Sequence, residues 1–230
     1  KELYRRAENL LRGNRNTLAL AAYEAALAKE PKAALMRRAL RRRANVLFRM
    51  RKYEEAIEAY SGLPQTTPTR IAVARARARS GDVPGAVQDL KEIAKTSGGK
   101  RPQRALYLAA LLLEDEAGRE AEAEDLFRKL AASRNAGEIR NEAIWRLGWR
   151  AYREGRYREA IKRFDELASY QETPRAKSRS RYWRARSLEK LGDPAAAREF
   201  FALAAEYPLT YYGWRASLRE LEEAPVAERA

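Results

Sequence analysis

A glycine that recurs every 37 residues restricts the fold of this chain more than any other feature of its sequence. Each of these glycines follows a run with helical periodicity; they are Gly81, Gly118, Gly155 and Gly192. A period of roughly 20 to 50 residues is typical of proteins built from stacked repeats. Glycine at the end of a helix accepts the positive φ angle that other residues resist. The spacing therefore predicts a series of helical hairpins, each with a glycine between its two helices.

The residues after each glycine predict how the second helix of each hairpin packs. An alanine lies five residues after the glycine, and larger apolar residues follow at intervals of four and three. We expect the alanine to allow a close helix approach and the larger residues to fill the groove beside it. In the first two repeats, Gly13 (with one inserted residue) and Arg51 take the glycine position. The predicted core sets are Ala19, Tyr23 and Ala26; Ala56, Tyr60 and Leu63; Ala86, Leu90 and Ile93; Ala123, Phe127 and Leu130; Ala160, Phe164 and Leu167; and Ala197, Phe201 and Ala204.

A single hairpin of this size cannot offset the entropy of ordering its own residues, so the hairpins must stack on one another. The sequence predicts an all-α protein, an α-solenoid of about six antiparallel helical hairpins. The repeats resemble tetratricopeptide repeats, most clearly at 143–170. Small residues seven positions before the residue that takes the glycine position of each repeat support this resemblance; they are Ala44, Ala74, Gly148 and Ala185. We expect a solenoid over 1–216 with hairpins near 1–31, 34–66, 67–98, 101–136, 138–172 and 175–208, a closing helix at 209–222, and a linker-like end at 223–230.

Composition narrows the possible functions. The 230 residues contain no Cys and no His, which excludes disulfides, thiolate nucleophiles, the Ser-His-Asp triad and the commonest ligand of transition metals. The pair Gly99-Lys100 lacks the glycine spacing of a phosphate-binding loop. No apolar run is long enough to span a membrane. We therefore predict no catalytic, cofactor-binding or metal-binding residue, and we expect this chain not to be an enzyme by itself.

The net charge of +15 is unevenly distributed. Windows for the first helices, such as 37–50 and 67–80, contain several Arg and no acid, whereas windows for the second helices are mildly acidic. The window 104–117 interrupts this pattern with three acidic residues. A concave surface of one sign attracts ligands of the opposite sign. The sequence therefore predicts an anionic ligand.

In tetratricopeptide arrays, the first helices line the concave surface. The resemblance implies groove positions, and the candidate binding residues at these positions are Arg38, Arg41, Asn45, Arg49, Arg75, Arg79, Trp145, Trp149, Tyr152, Arg153, Arg179, Tyr182 and Arg186. The same residue types have a structural interpretation. Arg stems cover apolar surface on solvated helix faces, and the aromatic rings can pack between repeats.

Residues 181–216 resemble a more specific family, the soluble lytic transglycosylases of the Slt type, at the end of their superhelical segment. The shared pattern includes Tyr182-Trp183, Ala185-Arg186, the run Leu188 to Gly192, Phe201, Leu203-Ala204, Pro208 and the run Tyr211 to Gly213. The resemblance implies a periplasmic, peptidoglycan-associated protein, in which this segment is a non-catalytic scaffold for a glycan strand or a protein partner. A downstream lysozyme-like domain would carry the catalytic Glu. We expect Tyr211, Tyr212 and Trp214 to cover the apolar end of the array.

Two other functions are compatible with the sequence. The chain could be an independent tetratricopeptide adaptor that binds an acidic peptide or protein partner. Binding of nucleic acid through the net charge ranks lower, because the sequence has no recognised nucleic-acid module.

Overall fold

The computed structural model describes residues 1–96, 98, 101–170 and 173–223, and this part of the chain contains helices and no strand. The all-α prediction is confirmed. None of the helices within these ranges is long and apolar enough to cross a membrane. The helices are α1 (Glu2–Arg12), α2 (Asn16–Leu27), α3 (Ala33–Arg49), α4 (Tyr53–Ser61), α5 (Thr67–Arg79), α6 (Val83–Thr96), α7 (Arg101–Glu114), α8 (Glu120–Ala132), α9 (Glu138–Arg153), α10 (Tyr157–Tyr170), α11 (Pro174–Lys190), α12 (Ala195–Glu206) and α13 (Tyr211–Glu223).

The chain divides into two compact units, Lys1–Ala123 and Glu124–Ala230. In the first unit, each helix from α1 to α6 packs against the helix that follows it, so that α1 to α7 form a continuous series. The helices α9 to α13 pack in the same sequential way in the second unit. The first helices α5 and α7 of two adjacent hairpins also touch, and the first helix α11 of the sixth hairpin touches the closing helix α13. This packing is that of a helical-repeat protein, as the repeat spacing predicts.

The turn between the two helices of a hairpin has a positive φ angle, as predicted from the glycines. The four repeating glycines have φ between 70° and 107°. Arg51 takes the same conformation with φ of 62°. In the first repeat, the choice of Gly13 was wrong, since Gly13 has φ of −76° and Asn14 has φ of 57°. Asn tolerates the left-handed conformation better than most residues, and with Asn14 as anchor the inserted residue is no longer needed.

The predicted core sets are buried in the first five repeats. In the sixth repeat the prediction was wrong by one residue, because Ala197 and Phe201 are exposed. The buried residues there are Ala196, Phe200 and Leu203. The buried Ala196 follows Gly192 by four residues, whereas Ala86 follows Gly81 by five.

This shift has a visible cause in the sequence. Pro194 directly follows Asp193, whereas Val83 stands between Asp82 and Pro84. The side-chain carboxylate of Asp193 accepts a hydrogen bond of 2.9 Å from the backbone N–H of Ala195, where α12 begins. The N–H of Ala196 bonds to the carbonyl of Asp193 three residues back, whereas the N–H of Ala86 bonds to the carbonyl of Asp82 four residues back. The entry into α12 is therefore tighter, and its apolar face moves by one position.

Two glycines mark close helix contacts. A Cβ on Gly148 of α9 would lie 2.9 Å from a ring carbon of Phe164 on α10. A Cβ on Gly213 of α13 would lie 1.9 Å from the backbone oxygen of Tyr207. Both distances are shorter than side chains permit, so only glycine fits without movement of the neighbour.

The closing helix covers the preceding hairpin only in part. Ala216 is fully buried, and Tyr212 packs against Tyr182 with 5.4 Å between ring centroids. Tyr211 and Trp214, in contrast, are more than half exposed. Of the three aromatic residues expected to form a packing lid, Tyr212 is therefore the one that contacts the core.

Candidate ligand-binding surfaces on the first helices

The first candidate surface lies on α3, in the first unit. The side of α3 that carries Ala39, Ala44, Val46 and Leu47 is buried in the core. The Arg residues between these apolar positions therefore face solvent. A cavity of about 370 Å³ lies beside them, lined by Tyr4, Arg38, Arg41, Arg42 and Asn45.

A second cavity of about 290 Å³ lies on the other side of the same Arg residues. Its polar and charged wall comes from Arg37, Arg38, Arg41, Thr66 and Thr69. Arg38 and Arg41 line both cavities. These two guanidinium groups, three residues apart on one helix face, therefore form the common wall of the two cavities.

The carboxylate of Glu8 is already engaged in this region. The Tyr23 hydroxyl donates to Glu8 Oε1 at 2.5 Å, and Arg42 Nε lies 3.0 Å from the same oxygen. Burial tends to raise the pKa of Glu8, but the hydrogen bonds from Tyr23 and Tyr4 and the charge of Arg42 outweigh burial and lower it. Glu8 therefore neutralises Arg42. Within residues 1–96, Arg38 and Arg41 have no ion-pair partner.

Asn45 and Arg49 form hydrogen bonds between helices. The Tyr60 hydroxyl donates to Asn45 Oδ1 at 2.7 Å and ties α4 to α3. Arg49 Nη2 donates to Asn14 Oδ1 at 2.8 Å and ties α3 to the turn before α2. Both predicted site residues thus hold the hairpins together.

Arg75 and Arg79 are exposed on α5. The guanidinium carbon of Arg75 lies 5.5 Å from the ring centroid of Phe48 on α3, a distance at which the cation and the ring attract each other. Neither Arg forms an ion pair with any residue that the structure describes in this unit. Both α3 and α5 therefore present exposed positive charge.

The second candidate surface is a column of aromatic rings on α9, in the second unit. Trp145 and Trp149 stack with 6.2 Å between centroids and 6° between planes. Trp149 and Tyr152 stack in the same way, at 5.8 Å and 10°. Arg179 of α11 lies 4.0 Å from the Trp145 centroid and 3.7 Å from the Glu142 carboxylate. The Arg179 guanidinium therefore lies at the Trp145 end of the column.

Trp183 contacts this column from α11, and it was not among the candidate site residues predicted from the sequence. Its ring meets Trp149 edge-on at 4.6 Å and Tyr152 edge-on at 5.0 Å. Its indole Nε1 is buried without a hydrogen-bond partner among the described residues. The Tyr182-Trp183 pair was visible in the sequence, but the groove positions selected Tyr182 alone.

Tyr182 lies in the core, where it contacts Phe200 and Tyr212 and is only 3% exposed. Its ring is therefore not presented to a ligand, because α12 and α13 cover it. Arg186 forms an ion pair of 3.0 Å with Glu189. Burial tends to lower the pKa of Arg186, but the hydrogen bond with Tyr152 and the charge of Glu189 outweigh burial and raise it.

Arg153 differs from Arg186, since it is exposed and has no ion pair within the described part of the second unit. A cavity of about 630 Å³ also occurs in this unit, between α11 and the start of α13. Arg175, Arg179, Leu209, Tyr211 and Tyr212 contribute to its walls. Among the residues that the structure describes, no cluster of acidic side chains could hold a metal ion.

The profile of the tetratricopeptide repeat family matches residues 4–70 and 146–209, which is more than half of the chain. The chain belongs to the tetratricopeptide repeat family. Tetratricopeptide repeat proteins are generally non-catalytic scaffolds that bind protein partners. None of the curated proteins compared with it matches the chain.

Solved structures agree with this fold. A tetratricopeptide repeat protein from Parabacteroides merdae is 22% identical over 96% of this chain and 86% of its own, with a TM-score of 0.55. The C-terminal part of a repeat-containing protein from Cytophaga hutchinsonii is 15% identical over 88% and 78%, with a TM-score of 0.66. The apo form of the quorum sensor NprR from B. thuringiensis is 11% identical over 99% and 71%, with a TM-score of 0.62. At these identities the similarity concerns the fold alone. The family match and these three structures provide no link to a lytic transglycosylase.

Proposed function

We propose that this tetratricopeptide repeat protein is an adaptor that binds an acidic segment of a protein partner along α3 and α5, the first helices of two hairpins in its first unit. The observation that carries this proposal is the unpaired positive charge of the first unit. Arg38 and Arg41 on α3, and Arg75 and Arg79 on α5, are exposed and lack carboxylate partners among the residues described there. A surface of one sign attracts an acidic ligand and raises its association rate.

The binding site on α5 is tested by removing its charge. Arg75→Gln with Arg79→Gln should weaken binding of a Glu-rich peptide by about tenfold, since two charge-assisted contacts are lost. The matched control is Arg158→Gln with Arg198→Gln, which removes the same charge from exposed positions of α10 and α12. We expect the control to bind like the parent protein. Fluorescence anisotropy measures the affinity, and thermal unfolding shows whether both variants remain folded.

Two results would contradict the adaptor proposal. The parent protein could bind a Glu-rich peptide no more tightly than a neutral Gly/Ser peptide of the same length. Alternatively, both charge variants could lose affinity equally, which would indicate a nonspecific effect of net charge. If single-stranded DNA bound more tightly than the peptide, with a salt slope of roughly −0.7 for each phosphate contacted, the protein would be a nucleic-acid binder instead.

A second candidate function is that of the non-catalytic scaffold of an Slt-type lytic transglycosylase. It is supported by the order of residues in 181–216, where Tyr182, Ala185 and Leu188 lie in one core cluster with the residues of α12 and α13. In this proposal the protein is periplasmic, its parent chain carries a catalytic domain, and its ligand is a glycan strand. Peptidoglycan has lactyl and stem-peptide carboxylates, which suit a basic surface.

Purified peptidoglycan sacculi test this second candidate. The protein should sediment with sacculi, and sedimentation should decrease as salt is raised. Arg153→Gln tests whether the second unit contributes to this sedimentation, since the Arg153 side chain is exposed and has no ion pair within the described residues of that unit. A protein that binds the Glu-rich peptide but stays in solution with sacculi would support the adaptor and exclude the cell-wall scaffold.

A further inference from the structure

Arg38 and Arg41 have a geometry that suits a single compact anion. They are three residues apart on α3, so their side chains leave the same face of the helix. Both line the cavity of about 370 Å³ beside α1 and the cavity of about 290 Å³ beside α5. A group bound at their common wall would therefore be within reach of both guanidinium groups.

Within residues 1–96, no carboxylate balances the positive charge of Arg38 and Arg41 at this wall. Arg42 is paired with Glu8, whose Oε1 also accepts the Tyr23 hydroxyl. Arg37, Arg38 and Arg41 are exposed and have no carboxylate partner within residues 1–96. Neighbouring like charges on one helix face repel each other. An anion that contacts both Arg38 and Arg41 would relieve this repulsion.

Neutral polar groups lie around the same wall. The side chains of Tyr4 and Asn45 line one cavity, and those of Thr66 and Thr69 line the other. The hydroxyls of Thr66 and Thr69 are 3.0 Å apart and hydrogen-bonded to each other. The guanidinium forks are thus the strongest donors at this wall, and no acidic side chain competes for them there.

We propose that Arg38 and Arg41 bind a phosphate monoester on the partner segment, that is, a phosphorylated Ser, Thr or Tyr side chain. This inference rests on the proposed adaptor function. A carboxylate or a nucleic-acid phosphodiester brings one negative charge, whereas a phosphate monoester brings about 1.5 to 2 at neutral pH. Its three oxygens can accept hydrogen bonds from two guanidinium forks at once. The monoester therefore matches two adjacent Arg that lack carboxylate partners better than the other anions do.

The absence of His makes this inference testable by pH. The polar side chains that line the two cavities are Tyr4, the Arg residues and Asn45 of α3, and Thr66 and Thr69. Behind Arg42, the carboxylate of Glu8 is held by Arg42 and the Tyr23 hydroxyl. The pKa of Glu8 is lowered and that of Tyr23 is raised, and the sequence contains no His, the side chain that ordinarily changes charge between about pH 5 and 8. A phosphate monoester loses its second proton near about pH 6. A change in affinity across that pH therefore reports the ionisation of the ligand.

The experiment compares three short Gly/Ser peptides that differ at one central position, which is phosphoserine, Glu or Ser. With the parent protein, phosphoserine should bind about tenfold more tightly than Glu at pH 7.5, which is about 1.4 kcal/mol. This advantage should fall several-fold between pH 7.5 and pH 5, and inorganic phosphate should compete. Arg38→Gln with Arg41→Gln should abolish the advantage, whereas the control Arg158→Gln with Arg198→Gln should retain it. Thermal unfolding verifies that each variant is folded.

The possible failures can be told apart. If phosphoserine and Glu peptides bind equally, or if the advantage survives Arg38→Gln with Arg41→Gln, the phosphate inference is wrong and the adaptor function stands. If neither these peptides nor a Glu-rich peptide binds above the Ser peptide, the adaptor function itself fails. Tighter binding of single-stranded DNA than of the phosphoserine peptide at about 0.15 M salt would overturn the phosphopeptide proposal in favour of nucleic acid.

Discussion

The guanidinium carbon of Arg179 lies 4.0 Å from the ring centroid of Trp145, and this contact joins two first helices of adjacent hairpins. The other rings of the column continue from Trp145 through Trp149 to Tyr152. Arg179 is partly buried, with 28% of its side chain exposed. The cation therefore stabilises the helix contact, and the same Arg also lines the cavity between α11 and α13.

Replacing this cation tests its structural contribution. Arg179→Met keeps the aliphatic stem and removes the charge, so the free energy of unfolding should fall by about 1 kcal/mol. Arg198→Met on the exposed face of α12 is the control and should change it by less than about 0.5 kcal/mol. Chemical denaturation measures both values, and tryptophan emission should shift only in the first variant. An unchanged emission spectrum for Arg179→Met would argue against the contact.

The register of the sixth hairpin is tested by two adjacent phenylalanines. Phe200 is 1% exposed and Phe201 is 66% exposed. Phe200→Ala should therefore lower the free energy of unfolding by roughly 3 to 5 kcal/mol, whereas Phe201→Ala should change it by about 0.5 kcal/mol or less. Circular dichroism during denaturation measures both. A larger loss for Phe201→Ala than for Phe200→Ala would instead support the sequence-based prediction, in which Phe201 is buried.

Gly148 tests how closely α9 and α10 approach. Its replacement by Ala in the middle of a helix should by propensity alone stabilise the protein by up to about 1 kcal/mol. Because the new Cβ would lie 2.9 Å from Phe164, we expect instead a loss of about 1 to 3 kcal/mol. Gly62→Ala is the control, since the nearest atoms are 3.9 Å away. The sign of the change in melting temperature for Gly148→Ala decides between the two effects.

The lowered pKa of Glu8 predicts that the free energy of unfolding depends on pH. Its pKa is lowered in the folded protein because the hydrogen bonds from Tyr23 and Tyr4 and the charge of Arg42 outweigh burial. A carboxyl with a lowered pKa stabilises the fold above its unfolded pKa of about 4.3, and this stabilisation is lost as the pH falls through the folded value. Glu8→Gln should therefore be less stable than the parent protein at pH 7. The difference should shrink as the pH falls below about 4; a difference that stayed constant down to pH 2 would contradict the assignment.

Arg153 and Arg186 should behave differently although the sequence placed both in the groove. Arg186→Gln removes the 3.0 Å ion pair with Glu189 and the hydrogen bond with Tyr152, so the melting temperature should fall. Arg153→Gln removes an exposed side chain and should leave it within about 1 °C. Equal melting temperatures would show that the ion pair of Arg186 contributes nothing measurable, as is common for pairs near the surface.

Much of the fold could be predicted from sequence because the signals that specify it are local. A positive φ after a helix requires Gly or a tolerant residue such as Asn14, and the apolar positions of a helix recur with its own period. The error in the sixth hairpin had a local cause as well. With Pro194 directly after Asp193, the buried Ala196 follows Gly192 by four residues, and counting five from Gly192 missed this shift.

The candidate site depended on distances between helices that no local pattern encodes. Arg38 and Arg42 lie on the same helix with similar sequence surroundings, yet Glu8 of α1 reaches Arg42 alone. The sequence by itself determined the repeat, its helices and the concentration of Arg on the first helix of most hairpins. Only the tertiary structure decided which charges are neutralised and that α13 buries Tyr182, because an ion pair or a covered ring depends on how closely separate helices pack.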